Sequence, residues 1–243
     1  MPLAVERSRA SNRGIMYVLF FDIDGTLLYS GGSGLEALRR AFSEVFDLPP
    51  PDDIPTSGRT DRGIARDLFR GRQVADSDEN WARFRAAYVQ HLREQLPLRQ
   101  GRILPGVVEL LERLGARRDV AMGLLTGNIA EGAWLKLQHF GLDHHFAFGG
   151  YGERSPERNV VAEDALAAAR HALSGAVCAD RMWVIGDTPM DIQCARHIGA
   201  RALAVATGMH AKADLAQAHP DLLLDDLRQA GDFPQQLDEG AAA

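Results

Sequence analysis

The chain has 243 residues, of which 46% are hydrophobic, and a formal net charge of −6. This composition is typical of a globular protein with a sizeable core, and the acidic balance argues against nucleic acid as a partner, since that function usually needs an excess of basic residues. No stretch reaches the roughly 18 apolar residues of a transmembrane helix, so no membrane partner is expected.

Residues 1–15 lack the apolar segment of a signal peptide, so we predict a disordered leader and a cytoplasmic protein. After residue 15, short apolar runs alternate with helical patterns, which indicates a parallel α/β sheet. The predicted strands are Tyr17–Phe21, Val120–Leu125, Phe146–Phe148, Trp183–Ile185, Ala202–Val205 and, more weakly, Leu222–Leu224. The predicted helices between them are Val107–Leu114, Ala130–Phe140, Val160–Leu173 and Met190–Ile198. We therefore expect a doubly wound core of residues 16–29 and 105–232, with a C-terminal tail from 233 to 243.

Residues 30–104 interrupt this alternation with helical patterns and no good strand. Ser33 and Glu36 have the spacing of a capping box ahead of an amphipathic run that ends near Phe46. Glycine-rich residues 31–34 and proline-bounded residues 97–105 bracket the segment, which predicts a helical module inserted on two flexible crossings, as in a lid. An aromatic and aliphatic stripe at helical spacing predicts a packing face rather than a cofactor site; it consists of Trp81, Phe84, Tyr88 and Leu92.

The first strand ends in two carboxylates, Asp22 and Asp24, which are followed by Gly25 and Thr26. In a continuing strand, residues i and i+2 share a face, and two ionised carboxylates that close repel each other. A divalent cation, or a proton held by one of the two, would offset the repulsion. The alternative interpretation is a solvated Asp-Gly turn.

Two further strands end in polar residues. Thr126, Gly127 and Asn128 precede a helix, which predicts a phosphate cradle at a helix N-terminus or a simple N-cap. Asp187 and Asp191 follow a later strand and suit Mg²⁺ as hard oxygen ligands, or serve as acidic residues of a first helical turn. Because ligands of such sheets gather at the carboxyl ends of the strands, the joint occurrence favours a single site.

These three segments resemble motifs I, II and IV of the haloacid dehalogenase (HAD) superfamily, and the resemblance runs from about Tyr17 to Leu224. It implies a Rossmann-like core, a helical C1 cap at residues 30–104, and a phosphoric monoester hydrolase. The motif segments are Asp22-Ile-Asp24-Gly25-Thr26, Thr126-Gly127-Asn128 and Gly186-Asp187-Thr188-Pro189-Met190-Asp191.

The superfamily's third motif is normally a lysine shortly before motif IV, and here the sequence departs from the pattern. Lys136 lies in the helix after motif II and Lys212 lies beyond motif IV, so neither matches the position. Arg158 matches it best and Arg154 is the runner-up. Arginine pairs with carboxylate and phosphate in bidentate fashion, so the cationic role is expected to persist.

The resemblance implies a role for each motif residue. Asp22 would attack phosphorus to give an aspartyl-phosphate, and Asp24 would protonate the leaving alcohol and then deprotonate water. Mg²⁺ is expected on Asp22, the backbone carbonyl of Asp24, and Asp187, with Asp191 nearby. The phosphoryl oxygens are expected to contact Thr126, Gly127, Asn128 and Arg158. An acid/base at Asp24 argues against a dehalogenase, and the absence of lysine between Tyr29 and Leu104 excludes a Schiff-base phosphonatase.

The expected substrate is a small phosphorylated metabolite, with phosphoglycolate the first guess and the chain a monomer or homodimer. Arg59 is a candidate contact for a substrate carboxylate, with a solvated charge as the alternative. The competing enzymes are a β-phosphoglucomutase-like mutase and a phosphatase for a sugar phosphate, nucleotide or pyrophosphate. A non-enzymatic receiver domain is disfavoured, because receivers are about half this length and use a lysine that this chain lacks.

Overall fold

The computed structural model describes residues 16–174 and 177–233. The leader predicted for residues 1–15, and the predicted tail after Phe233, lie outside the described residues. Within the described part of the chain, no helix combines the length and the apolar character needed to cross a membrane.

The described residues form a sheet core and a helical module. The strands are β1 (Met16–Phe21), β2 (Leu28–Tyr29), β3 (Arg102–Ile103), β4 (Val120–Leu125), β5 (Gly149–Gly150), β6 (Val177–Gly186), β7 (Arg201–Val205) and β8 (Leu222–Leu224). The α-helices are α1 (Ser33–Phe46), α2 (Asp61–Gly71), α3 (Asp78–Gln95), α4 (Val107–Gly115), α5 (Ala130–Phe140), α6 (Arg158–Ala172), α7 (Pro189–His197) and α8 (Lys212–Gln217). Short 3₁₀ helices occur at Leu96–Leu98, Asp143–His145 and Leu227–Asp232.

Six parallel strands form the central sheet in the order β5-β4-β1-β6-β7-β8. Strand β1 is fully apolar because both of its faces are covered, as expected for a central parallel strand. Leu19 and Phe21 pack with α4 and α5 on one face, while Val18 and Phe20 pack with α6 and α7 on the other. The predicted doubly wound α/β fold is confirmed.

Helices α1, α2 and α3 form the helical module around a separate apolar cluster. Phe42, Phe69 and Phe84 lie in contact at its centre, with ring centroids 5.5 Å apart for Phe69 and Phe84. The chain enters the module through β2 and leaves it through β3, which pair in an antiparallel two-stranded ribbon. The residues of the core therefore lie on both sides of the module in sequence.

Three local predictions were wrong. The strand expected at Phe146–Phe148 is β5 at Gly149–Gly150, where the absence of side chains lets α6 approach: a Cβ on Gly150 would lie 2.2 Å from the backbone oxygen of Val161. Ser33 forms no capping box, because the left-handed Gly32 is the N-cap of α1 and Ser33 already lies inside the helix. Phe233, assigned to the tail, is buried against Trp183, with ring centroids 5.0 Å apart.

Candidate active site

The carboxyl ends of the central strands open into a cavity of about 520 Å³ that the helical module covers. Asp22 follows β1, Gly127 and Asn128 follow β4, and Asp187 follows β6, so the three strand-end motifs meet in one place as the parallel sheet requires. The module contributes residues of α1, α2 and α3, together with the loop before α2. The module residues that line the cavity include Leu35, Leu38, Ser57, Gly58, Arg59, Asp61, Ile64 and Tyr88.

Three buried carboxylates lie together at the strand ends, and two of them, Asp22 and Asp187, line the cavity. Asp22, Asp187 and Asp191 each offer an oxygen, and these oxygens lie within 4.8 Å of one another. The Thr26 hydroxyl donates a hydrogen bond to Asp187 at 3.0 Å. Gly208 leaves the space that Asp187 occupies, since a Cβ there would lie 1.7 Å from Asp187 Oδ2.

The electrostatics of this cluster fit a divalent cation. Burial raises the pKa of Asp22 to about 7, against the lowering effect of Arg158, and the neighbouring Asp191 raises it further. Burial, followed by the charges of Asp191 and Asp22, raises the pKa of Asp187 well above its usual range. The raised pKa values show that Arg158 alone does not compensate these buried carboxylates. Mg²⁺ binds hard oxygen ligands of this kind and would supply the missing positive charge.

Arg158, the first candidate for the cation of the third motif, lies beside these carboxylates. It is the first residue of α6 and is buried. It forms a close ion pair with Asp191, and one of its terminal nitrogens lies 4.0 Å from Asp22 Oδ1. Arg154 is exposed and pairs with Asp164 at 2.9 Å. The structure therefore brings Arg158, and not Arg154, to the carboxylates.

Asp191 takes the first-turn role considered for it in helix α7 and also lies beside the other two buried carboxylates. The Thr188 hydroxyl donates a hydrogen bond to Asp191 Oδ2 at 2.7 Å, and Thr188 is the N-cap of α7 in a complete capping box. The other oxygen of Asp191 faces Arg158. The helix cap thereby fixes the carboxylate beside Asp22 and Asp187.

The segment after β4 leads into helix α5, whose first backbone amides are paired with carboxylates of the chain. Helix α5 begins at Ala130, after the N-cap Ile129. The backbone amides of Ile129 and Ala130 donate to Asp61 at 2.8 Å and to Glu153 at 2.7 Å, so carboxylates of the chain already occupy this helix N-terminus. The alternative of an N-cap at Thr126 or Asn128 was wrong, because Ile129 is the N-cap. The phosphate contacts expected of Thr126, Gly127 and Asn128 stay a prediction.

The side chains of Thr126 and Asn128 face the paired aspartates instead. The Asn128 amide donates to Asp24 Oδ2 at 2.9 Å and to the Thr126 hydroxyl at 2.8 Å. A side-chain hydrogen bond with Thr126 lowers the pKa of Asp22, although burial and the other carboxylates outweigh it. Gly127 has no room for a side chain, since a Cβ there would lie 2.0 Å from the Arg59 backbone oxygen and 2.9 Å from Arg158.

The carboxylate of Asp24 lies apart from the other three. It accepts hydrogen bonds from Asn128 and from Lys136, whose Nζ is 2.5 Å from Asp24 Oδ2. Lys136 does not stand at the third-motif position, but its side chain is buried at the site beside Asp24, a contact that its position in the chain did not predict. A signal was present, because only two of the 27 lysine and arginine residues are lysines and one of them follows the second motif.

Arg59 lines the cavity, as its candidate role requires, but its guanidinium forms a close ion pair with Asp67 of α2.

Three other residues of this region were not predicted from the sequence as part of the site. Tyr88 lines the cavity in addition to packing in the module. Asp61 holds the amide of Ile129, and Thr207 donates to the backbone oxygen of Gly25 at 2.6 Å.

Comparison with known proteins agrees with this geometry. Residues 19–205 match the family model described as haloacid dehalogenase-like hydrolase. The chain is 28% identical to the phosphoglycolate phosphatase of Synechococcus elongatus, over 88% of this chain and 97% of that protein. It is also 28% identical to the phosphoglycolate phosphatase of Rhodospirillum rubrum, over 89% and 91% of the two chains.

The fold is also that of solved structures. The crystal structure of a hydrolase from Pseudomonas syringae superposes with a TM-score of 0.68 at 25% identity and covers 92% of this chain and 99% of its own. The family model matches well over half of the chain, and all three strand-end motifs lie within the matched residues. The chain belongs to the haloacid dehalogenase-like hydrolase family.

Proposed function

We propose that this protein is a Mg²⁺-dependent phosphatase that hydrolyses a small phosphorylated metabolite through an aspartyl-phosphate on Asp22. The observation that carries the proposal is the separation of the four aspartates. Asp22, Asp187 and Asp191 cluster around a position suited to a cation, while Asp24 is outside this cluster and pairs with Lys136 and Asn128. One set of carboxylates is arranged for a metal and a nucleophile, and the remaining one for proton transfer.

The residues present fit a divalent cation. Asp22 and Asp187 would hold it, with Asp191 adjacent, and the backbone carbonyl of Asp24 is a further candidate ligand. When bound, Mg²⁺ supplies positive charge that offsets the repulsion between the phosphate and the carboxylates. Arg158 supplies a fixed positive charge beside Asp22 in the same site.

The reaction divides between the two aspartates of the first motif. Asp22 Oδ attacks phosphorus as the bond to the leaving oxygen breaks, and Asp24 gives that oxygen a proton. Water then attacks the phosphoryl group, the bond to Asp22 breaks, and Asp24 takes a proton from the water. Thr126, Gly127, Asn128 and Arg158 surround the position of the phosphoryl oxygens, where positioning and charge neutralisation provide most of the catalysis.

A small substrate is favoured by the cover over the site. The cavity of about 520 Å³ is bounded above by the helical module, for which we propose the role of a cap. Backbone hydrogen bonds tie the module to the core in this conformation, from Asp61 to Gly127 at 2.7 Å and from Arg62 to Gly152 at 3.0 Å. We propose 2-phosphoglycolate as the first substrate to test, because two relatives that match most of the chain carry the name phosphoglycolate phosphatase.

The proposal is tested by phosphate release from a panel of small phosphate monoesters, with Mg²⁺ and with EDTA. We expect release that requires Mg²⁺ and that falls below detection in Asp22→Asn, while Asp214→Asn, an exposed position on α8, keeps wild-type activity. Substantial turnover by folded Asp22→Asn would refute the nucleophile assignment. Conversion of a sugar 1-phosphate to its 6-phosphate without phosphate release would identify a mutase instead.

A further inference from the structure

Lys136 is the one buried lysine among the described residues, and the reaction outlined above gives it no task. It lies in the middle of α5, and its side chain extends toward the N-terminal end of the helix, as helical side chains do. Its Nζ donates to Asp24 Oδ2 at 2.5 Å and to Asn128 Oδ1 at 2.7 Å. A buried ammonium group is costly unless it is paired, so this arrangement indicates a specific role.

Lys136, Asn128 and Asp24 form a closed triangle of hydrogen bonds. Lysine only donates hydrogen bonds, so its contact with Asn128 Oδ1 turns the amide nitrogen of Asn128 toward Asp24. That nitrogen donates to Asp24 Oδ2 at 2.9 Å. Two donors therefore end on the same oxygen of Asp24.

The second oxygen of Asp24 is left free. No residue in the described ranges donates a hydrogen bond to Asp24 Oδ1, and the side chain is 40% exposed where it faces the cavity. The carboxylate thus has one oxygen fixed to the protein and one available to substrate or water.

We propose that Lys136 is a positioning residue, which with Asn128 anchors Oδ2 of Asp24 so that Oδ1 carries the transferred proton. The proposal rests on the phosphatase function proposed above. In the first step the proton moves from Oδ1 to the leaving oxygen as the phosphorus–oxygen bond breaks, and Asp24 becomes a carboxylate. Lys136 stabilises the negative charge that remains on Asp24, and Oδ1 later accepts the proton of the attacking water.

If Lys136 positions Asp24 for proton transfer, the loss of activity on its substitution depends on the leaving group, whereas loss of a merely structural residue would affect all substrates alike. An alkyl leaving group such as that of 2-phosphoglycolate needs a proton as it departs, whereas p-nitrophenolate departs without one. General acid catalysis contributes on the order of 100- to 10,000-fold. Since kcat/KM reports the steps up to leaving-group departure, its ratio between the two substrates measures the proton transfer.

The test compares wild type, Lys136→Met and Lys212→Met on 2-phosphoglycolate and p-nitrophenyl phosphate. If 2-phosphoglycolate is not hydrolysed, the best alkyl phosphate of the panel replaces it. Lys136→Met is expected to lower kcat/KM by about 100-fold or more on the alkyl ester and by less than about 10-fold on the aryl ester. Lys212, the other lysine, is an exposed residue paired with Asp225 at 2.7 Å, and its substitution is expected to change neither value.

Equal losses on both esters would assign Lys136 a merely structural role, and unchanged kinetics would remove it from the site; either result overturns the proposal. If Lys136→Met is unfolded at the assay temperature, Lys136→Gln keeps a polar side chain of similar bulk that is too short to reach Asp24, and the same contrast is expected from it. Wild-type protein that releases phosphate from neither ester would refute the phosphatase function itself, and the role of Lys136 would fall with it.

Discussion

Asp61, the first residue of α2, accepts a hydrogen bond at 2.8 Å from the backbone amide of Ile129, the N-cap residue of α5. A carboxylate of the helical module thus caps a helix of the core, where Ile129 has no side chain able to do so. The contact also lies against the cavity, since Asp61 is one of its lining residues. Lifting the module from the core would leave the amide of Ile129 without this partner.

The first prediction concerns the effect of pH on this contact. Burial raises the pKa of Asp61 from 3.8 to about 6, although Lys136 and the amide of Ile129 lower it. The folded state therefore holds the proton more tightly than the unfolded state, and the stability due to Asp61 is complete below about pH 4 and is lost as the pH rises through 6. The free energy of unfolding of wild type minus that of Asp61→Asn should fall by up to about 3 kcal/mol between pH 4 and 7.

Urea denaturation of both proteins in EDTA at several pH values measures this difference. The subtraction removes the titration of the other carboxylates, because the two proteins share them. A difference that stays constant from pH 4 to 7 would contradict a raised pKa for Asp61 in the folded state.

The second prediction distinguishes the two arginines considered for the third motif. Arg158→Ala removes the cation that lies 4.0 Å from Asp22 and pairs with Asp191, and we expect kcat/KM for phosphate release to fall by about 100-fold or more. Arg154→Ala is the matched control, because this arginine precedes the same helix but is exposed and paired with Asp164; a change of less than about twofold is expected, as surface ion pairs contribute little. A larger loss from Arg154→Ala would reverse the assignment.

The third prediction tests the cation without measuring catalysis. Without divalent cations, Asp187→Asn relieves repulsion among three buried carboxylates, and the melting temperature should rise by about 2–4 °C for each kcal/mol relieved. Mg²⁺ should raise the melting temperature of the wild type and have little effect on the variant. Asp214→Asn, at an exposed position of α8, should respond to Mg²⁺ as the wild type does. Equal stabilisation of wild type and Asp187→Asn would place the cation elsewhere.

The sequence was most informative about features that a short stretch of residues determines by itself. Strand β1 was predictable because a short, continuous apolar run is typical of a strand covered on both faces. Asp22 and Asp187 were predicted as site residues because each directly follows such a strand. Helix α5 was predicted with the observed bounds, Ala130–Phe140.

The contacts that could not be predicted join residues that are far apart in the sequence. Lys136 is 112 residues from Asp24 in the chain, and only the direction of α5 toward the first strand brings the two together. In the same way, Asp61 meets the amide of Ile129 only because the module folds back onto the core. The sequence shows which strand end a residue follows. Contacts between distant parts of the chain are known only once the helices and the sheet are packed together.

The antiparallel pairing of Leu28 with Ile103 and of Tyr29 with Arg102 has a consequence beyond local geometry. The two ends of the helical module are neighbours in space, the arrangement in which insertion of a whole unit into a host domain is tolerated. The helical module, which covers the cavity, is therefore a continuous segment of the chain, and the strand ends below it belong to the segments on either side. Replacing the residues between β2 and β3 with a helical module of different shape would change the cover of the cavity and leave the strand order of the central sheet the same.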